Sequence, residues 1–474
     1  MTWGIIDTVE TRLPSHRLPA TLWTALHHGR QLWRALRHGD QSIMVSTLLD
    51  LARRSPHPDA YLLDARPLGP AILVLHSAEG LRALGEHPAL DKGPTANIAV
   101  AVTGEAGAYE GIMGPAQGGP YLRQIELLDA LIKRVQRGLR RVVQRRVGEH
   151  LAPPCELSIR RVQYFTASVI LEQIFPAHAW TPEAIAEVID ALEHNAEWVG
   201  PTIQASAMKG HGPTAVLERK GLSEVIDRYE RVFAPLAEEE RARRSAATAP
   251  TGERDDTEPE GGLLTQLLRD GLSWADTKAL ATTFIAASYE TVSSVLTEWV
   301  YQVSASPPTW RALQDAEGEL RRQRIKASLY EAVRLVTPLP LLLRRAERAC
   351  TLDIVAGDGT RRPLSIESEQ LVMGLNVAPL RDPAVFPDPL RMRLELDAAQ
   401  RERIRLAWGL EAAPTADGPN RFCQGFSYSV ALLTATIESL LADYAAPTLV
   451  RDAEIDMVGT QARRRFVARL AARA

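Results

Sequence analysis

Gly418-Pro419-Asn420-Arg421-Phe422-Cys423-Gln424-Gly425 stands directly before an apolar helical stretch that runs from Phe426 to about Tyr444. A cysteine at a helix N-terminus has its thiolate stabilised by the helix dipole and by backbone N–H groups that lack an intrahelical partner. Arg421, two residues earlier, adds positive charge, and Gly425 lets another surface approach closely. Taken alone, the segment supports two readings, an activated thiol or a buried structural cysteine.

Two constellations lie upstream. From Ser273 to about Ser304 the chain follows a helical pattern that is apolar over most of its surface, with Ser273 as N-cap and Asp276 at the third following position. A helix that is apolar nearly all round is buried, so this one is expected at the centre of the fold. It carries Ala286-Ala287-Ser288-Tyr289-Glu290-Thr291. A carboxyl in such a helix costs several kcal/mol unless it is partnered. Glu290 and Thr291 either relay protons to a bound oxidant, or Thr291 bonds back to its own helix and Glu290 meets a buried base. Glu331 and Arg334 stand at i, i+3 on the helical pattern Ile325–Leu335, which ends at Thr337-Pro338-Leu339-Pro340. That spacing allows an ion pair, worth under about 1 kcal/mol if it lies on the surface.

The rest of the chain is mostly helices punctuated by Gly and Pro. Helical patterns cover Thr21–Leu36, Tyr121–Leu151, Arg161–Phe175 and Pro182–Val199. The polar side of the Tyr121–Leu151 stretch is basic (Lys133, Arg134, Arg137, Arg140, Arg141), as a solvated face or a docking face would be. A strand pair, 60–64 and 71–75, is expected across the turn Pro67-Leu68-Gly69-Pro70, and another strand at Leu371-Val372-Met373. Gly200–Gly221 reads as a loop or lid, and Arg241–Gly262, which has no apolar period, as an exposed linker. There are 474 residues with Lys+Arg 55 against Asp+Glu 58, a net charge of −3, so the basic excess of a nucleic-acid binder is missing. Hydrophobic content of 45% and charged content of 24% exclude a disordered or fibrous chain. Three cysteines (Cys155, Cys350, Cys423), none in a CxxC pair, fit a reducing compartment rather than a disulfide framework. Neither a signal peptide nor a membrane span is expected, which points to a cytoplasmic protein without membrane or nucleic-acid partners.

In this order and spacing the segments resemble the cytochrome P450 superfamily of haem-thiolate oxygenases. The likeness rests on motifs from Ser273 to Tyr444, and on helix pattern and length over the first 270 residues. It implies a single catalytic domain over 1–474, mainly α with small β-sheets, a triangular helical prism around a buried haem b (iron protoporphyrin IX). Glu331-Ala332-Val333-Arg334 looks like the family's ExxR motif. Arg381-Asp382-Pro383 through Asp388-Pro389-Leu390-Arg391 is similar to the meander, whose arginine joins that Glu and Arg in a buried triad; Arg391 is the matching position and Arg393 the second choice. By the same resemblance Cys423 is the iron ligand, with Gly425 in its loop. Arg344 and Arg421 meet the haem propionates, and Tyr121 and Arg123 are the nearest counterparts of the first-half propionate ligands. Glu290 and Thr291 form the acid–alcohol pair that serves oxygen activation, and Ala286, Ala287, Leu339, Leu341 and Leu342 line an apolar substrate pocket.

Two departures stand out. The family's cysteine loop has an aromatic-Gly pair seven and six residues before the cysteine, and a Gly four before it. Here Ala416 and Pro419 hold the first and last of those places, and Trp408-Gly409 lies further upstream, so the loop is lengthened over Leu410–Asp417. Ser288 also stands where the family's helix has a glycine. A lengthened loop resembles atypical members that use peroxide or rearrange their substrate, whereas Glu290-Thr291 suits an O2-dependent monooxygenase. The implied function is therefore oxygen insertion into an apolar or mixed small molecule. Its electron donor would be a separate ferredoxin- or flavodoxin-type protein, for which Arg401, Arg403 and Arg405 are a candidate docking rim. The alternatives are the peroxide-using or rearranging enzyme and a non-catalytic haem binder.

Overall fold

The computed structural model describes residues 15–17, 41–64, 71–91, 119–176, 178–193, 274–409, 423–451, 455–458, 461–464 and 466–473, with scattered positions between 231 and 242. The expected helix Thr21–Leu36, the loop Gly200–Gly221, nearly all of the linker Arg241–Gly262, the cap Ser273 and the lengthened segment 410–422 with Arg421 lie outside the described residues.

The helices follow the apolar periods. They are α1 (Gln41–Arg54), α2 (Ala78–Glu86), α3 (Gly119–His150), α4 (Ile159–Ile174), α5 (Trp274–Ala305), α6 (Pro307–Gln314), α7 (Gly318–Val336), the single turn α8 (Val377–Leu380), α9 (Ala398–Arg405) and α10 (Phe426–Asp443). Residues 182–193 form a further helix. Local chemistry sets their ends. The Ser77 hydroxyl accepts from the Gly80 N–H at the start of α2, and Asp397 with Gln400 forms a reciprocal capping box on α9. α7 stops where Thr337 turns left-handed (φ 44°), with its hydroxyl donating to the Arg334 carbonyl at 2.9 Å and Pro338 following. In α5 the hydroxyls of Ser288, Thr291, Ser293, Thr297 and Ser304 all donate to carbonyls three or four residues earlier, which is how so many hydroxyls are tolerated in a buried helix.

The strands are β1 (Ser15–Arg17), β2 (Ala60–Asp64), β3 (Ala71–Leu75), β4 (Leu90–Asp91), β5 (Cys155–Ser158), β6 (Leu341–Ala346), β7 (Cys350–Val355), β8 (Arg361–Ile366), β9 (Leu371–Leu375), β10 (Thr448–Arg451), β11 (Ile455–Val458), β12 (Gln461–Arg464) and β13 (Val467–Leu470). They build one six-stranded sheet, β1-β2-β3-β9-β6-β4, and three smaller sheets, β10-β13-β5, β11-β12 and β7-β8. β2 and β3 pair antiparallel, the expected turn at 67–70 lying outside the described residues, and β9 joins β3 in parallel. β7 and β8 alternate buried and exposed residues, the period-2 pattern of a half-covered hairpin.

One large hydrophobic core joins α3, α4, α5, α6, α7 and α10, with Trp299 of α5 against Trp310 of α6 (ring centroids 6.0 Å apart) at its heart. A second core packs α2 between the six-stranded sheet and the β7–β8 hairpin, and a third packs α1 on β2 and β3. α5 lies against α4 and α7, which makes it the central helix that its composition called for. Among the described residues, no helix is long and apolar enough to cross a membrane.

Candidate active site

Cys423 precedes α10 by three residues, and its side chain is exposed although the helix that follows is largely buried. Its N–H donates to the Trp408 carbonyl at 2.8 Å, and its own carbonyl accepts from Phe426 N–H at 3.1 Å. The first bond closes the long loop. The chain departs at Gly409, whose φ of 91° and ψ of 178° suit glycine, and returns at Cys423 beside the residue it left. Trp408 is wedged between Tyr330 of α7 (5.4 Å) and Phe426 of α10 (5.1 Å, rings at 86°). It thus anchors the thiol to two helices, a role for which the sequence offered only the displaced Trp-Gly pair. A Cβ on Gly425 would sit 3.7 Å from the Cys423 Sγ, an ordinary contact, so the thiol itself does not demand glycine there.

Glu331 and Arg334 are both 0% exposed. The Arg334 Nε and Nη2 donate to the two carboxylate oxygens at 2.6 and 2.8 Å, a bidentate pairing. The remaining N–H groups of the guanidinium donate to the carbonyls of Leu380 (3.2 Å), Pro389 (2.6 Å) and Arg391 (3.1 Å), while its face lies 4.5 Å from the Phe386 ring centroid. Glu331 also accepts the Arg393 backbone N–H at 3.1 Å. The expected third arginine is corrected here. The side chains of Arg391 and Arg393 are exposed, and both residues serve through the backbone instead. A second buried guanidinium would have added a desolvation cost, whereas carbonyls and an N–H complete the pair's valences without extra charge. The meander is therefore tied to α7 by one ion pair and its backbone partners.

On α5 the helix opens locally. Ala287 is exposed and Ala286, Ser288 and Thr291 are half-buried, although Phe284, Ile285 and 292–300 are buried. Ser288 donates to the Phe284 carbonyl at 2.5 Å and Thr291 to the Ala287 carbonyl at 2.7 Å, so both hydroxyls present lone pairs outward. Glu290 is 4% exposed. Successive helical residues diverge by about 100°, which turns its carboxyl into the packing while Thr291 lies at the opening. Adjacent in sequence, the two are thus covered to different degrees, Glu290 buried and Thr291 half-buried. Phe284, one turn before Ser288, meets Tyr428 of α10 edge-on at 5.3 Å, and this contact joins the open stretch of α5 to the helix that starts at the thiol.

Arg344, in β6, is 6% exposed and its Nη1 donates to the Leu343 carbonyl at 2.9 Å. Leu339, between α7 and β6, and Leu341 and Leu342, which open β6, are half-buried. Tyr121 and Arg123 fall within α3, and their side chains lie outside the described residues. Arg401 is exposed and Arg403 and Arg405 half-buried on α9; Arg405 lies 5.8 Å from the Phe426 ring, on the side of the thiol loop. Of the basic residues on α3, Arg140 is committed to Glu438 of α10 at 3.1 Å.

No protein-family model matches this sequence, and no curated protein matches it. Its structure is similar to the crystal structure of a cytochrome P450 (CYP102L1), with a TM-score of 0.64 over 90% of this chain and 94% of that one, at 14% sequence identity. The likeness extends well beyond the motif-bearing second half, and it shows that the chain has the cytochrome P450 fold, mainly helical with small sheets.

Proposed function

We propose that this chain is a haem-thiolate monooxygenase that inserts one oxygen atom from O2 into a small apolar or mixed molecule. The observation that carries the reading is the exposed Cys423 thiol, held through its N–H by Trp408 at the start of α10, with the open stretch of α5 joined to the same helix through Phe284 and Tyr428. The residues fit an iron porphyrin. Cys423 offers one soft ligand, which suits a metal whose other positions are filled by its own macrocycle. Ala286 and Ala287 leave room beside α5 for a flat ring, and the buried Arg344 guanidinium has the charge that propionates need. Arg421 is assigned to the same role. Haem b, when bound, supplies a redox-active iron whose thiolate ligand favours O–O cleavage.

The chain's own residues do the rest. The N-terminus of α10 stabilises the Cys423 thiolate, and Trp408 fixes where it sits. Thr291 accepts hydrogen bonds at Oγ1, its own proton being engaged with the Ala287 carbonyl, and Glu290 places a carboxyl within the packing behind it. Leu339, Leu341 and Leu342 with the two alanines exclude water from an apolar substrate. Arg401, Arg403 and Arg405 offer a positive rim to an acidic ferredoxin- or flavodoxin-type donor.

The first test is the absorption spectrum of reduced, CO-exposed holoprotein. A strongly red-shifted Soret band is expected, and Cys423→Ala abolishes it; the same band in that variant removes Cys423 as ligand. A second reading, an enzyme that uses peroxide or rearranges its substrate, is favoured by the engaged Thr291 proton and the inward Glu290. Product formation with peroxide and none with a reductase system would select it. Bound haem with turnover under neither condition would select a non-catalytic haem binder.

A further inference from the structure

The segment 337–342 contains a polar clamp that the site described so far does not use. After the left-handed Thr337, the chain runs Pro338-Leu339-Pro340 into β6. Two prolines leave this stretch short of N–H donors, so the backbone has little with which to hold its own shape. β6 pairs with β9 in the register Leu341↔Leu375, which sets Asn376 opposite Pro340. The ladder ends there because Pro340 has no N–H to give. The Asn376 side chain takes over where the ladder fails, its Nδ2 donating to the Leu339 carbonyl at 3.1 Å. Pro338 and Pro340 are buried and Leu339 between them is half-exposed, so the clamped peptide is the one that presents a side chain outward.

The cost of the clamp is visible on the same side chain. Asn376 is 2% exposed, and its buried Oδ1 has no hydrogen-bond partner among the described residues. An apolar side chain of similar size would fill the space without stranding an acceptor. What asparagine adds at this position is the single bond to Leu339.

We propose that Asn376 is a positioning residue that aims Leu339 into the substrate pocket and thereby sets which ligand shapes the pocket accepts. This rests on the haem-thiolate reading above. The test uses ferric holoprotein and two probes, imidazole and 4-phenylimidazole, with Kd read from the Soret shift. Imidazole reports access to the iron, and the preference for the phenyl derivative reports contact with the apolar wall. Asn376→Leu is expected to leave thermal stability and the imidazole Kd unchanged while lowering the phenyl preference about 4-fold, the equivalent of one methylene of contact. Leu339→Ala is expected to lower the preference at least as far, and adding Asn376→Leu to it should change nothing more, because the clamp then holds no side chain that matters. An unchanged preference in Asn376→Leu, or losses that add in the double variant, overturns the proposal. Asn376→Ala is read in the same way if the leucine variant does not accumulate. Failure of the haem-thiolate reading is distinct, because the wild-type protein would then lack the red-shifted reduced-CO band before any imidazole is added.

Discussion

Helix α7 carries two Glu–Arg pairs at the same i, i+3 spacing, and they provide a controlled experiment on burial. Glu319 and Arg322 meet at 2.6 Å with side chains 63% and 69% exposed. Glu331 and Arg334 meet at the same distance with both side chains at 0%. Glu331→Gln removes the negative charge and turns one acceptor into a donor facing N–H groups that now bond to it at 2.6, 2.8 and 3.1 Å. Arg334 keeps its charge and faces only neutral acceptors, the glutamine carbonyl and those of Leu380, Pro389 and Arg391. Stranding a buried charge in this way costs about 3–5 kcal/mol. Against a total of roughly 5–15 kcal/mol for a folded domain, that is a large share. Urea denaturation of the holoprotein followed by far-ultraviolet circular dichroism measures it. Glu331→Gln should shift the midpoint strongly, and Glu319→Gln should leave it in place. Glu331→Met with Arg334→Met should recover part of the loss, because no charge is then stranded, yet stay below wild type because three carbonyls lose their donor. If Glu331→Gln cost no more than about 1 kcal/mol beyond Glu319→Gln, the buried pair would not be what ties the meander to α7.

Two further outcomes follow from the packing around the six-stranded sheet. A Cβ at Gly374 in β9 would lie 2.7 and 2.8 Å from the Cδ2 atoms of Leu81 and Leu84, which are 3% and 1% exposed, so Gly374→Ala should cost about 1–3 kcal/mol by thermal melting; wild-type stability would refute the close approach of α2 to β9. Burial, only partly opposed by Asp59, holds the His76 imidazole down at about 4 against 6.5 when exposed. The unfolded chain therefore takes up that proton first, and the contribution of His76 is intact above pH 6.5 and lost as pH falls towards 4, amounting to about 3 kcal/mol. His76→Phe should flatten this part of the stability profile, and parallel profiles for variant and wild type would contradict it.

Part of the candidate site's local geometry was legible because it depends on short-range order. The i, i+3 spacing placed Glu331 and Arg334 on one helical face, and the apolar run after Gly425 placed Cys423 at a helix start. Neither observation carries distance information beyond one or two turns, and each site feature that was missed spans more than that. The Arg391 expectation failed because sequence shows side chains, whereas the bonds that complete the ion pair come from the main chain, 46 to 57 residues away from Arg334. Trp408 could be noticed as displaced, but that its carbonyl receives the Cys423 N–H is a property of how the loop closes. Asn376 carried no signal at all, since its significance depends on facing a proline across a sheet register.

The helix-dominated class, the central apolar helix, the buried carboxyl beside a hydroxyl and the cysteine at a helix start were readable from the chain alone. All of these follow from periodicity and nearest-neighbour chemistry. How each of those groups is covered came from packing between distant segments. Glu290 and Thr291 are adjacent in the chain, but the packing around α5 buries one and leaves the other at an opening. Charge burial works the same way: the two Glu–Arg pairs of α7 are indistinguishable by spacing, and what covers each of them makes one a surface contact and the other the fastening of the meander.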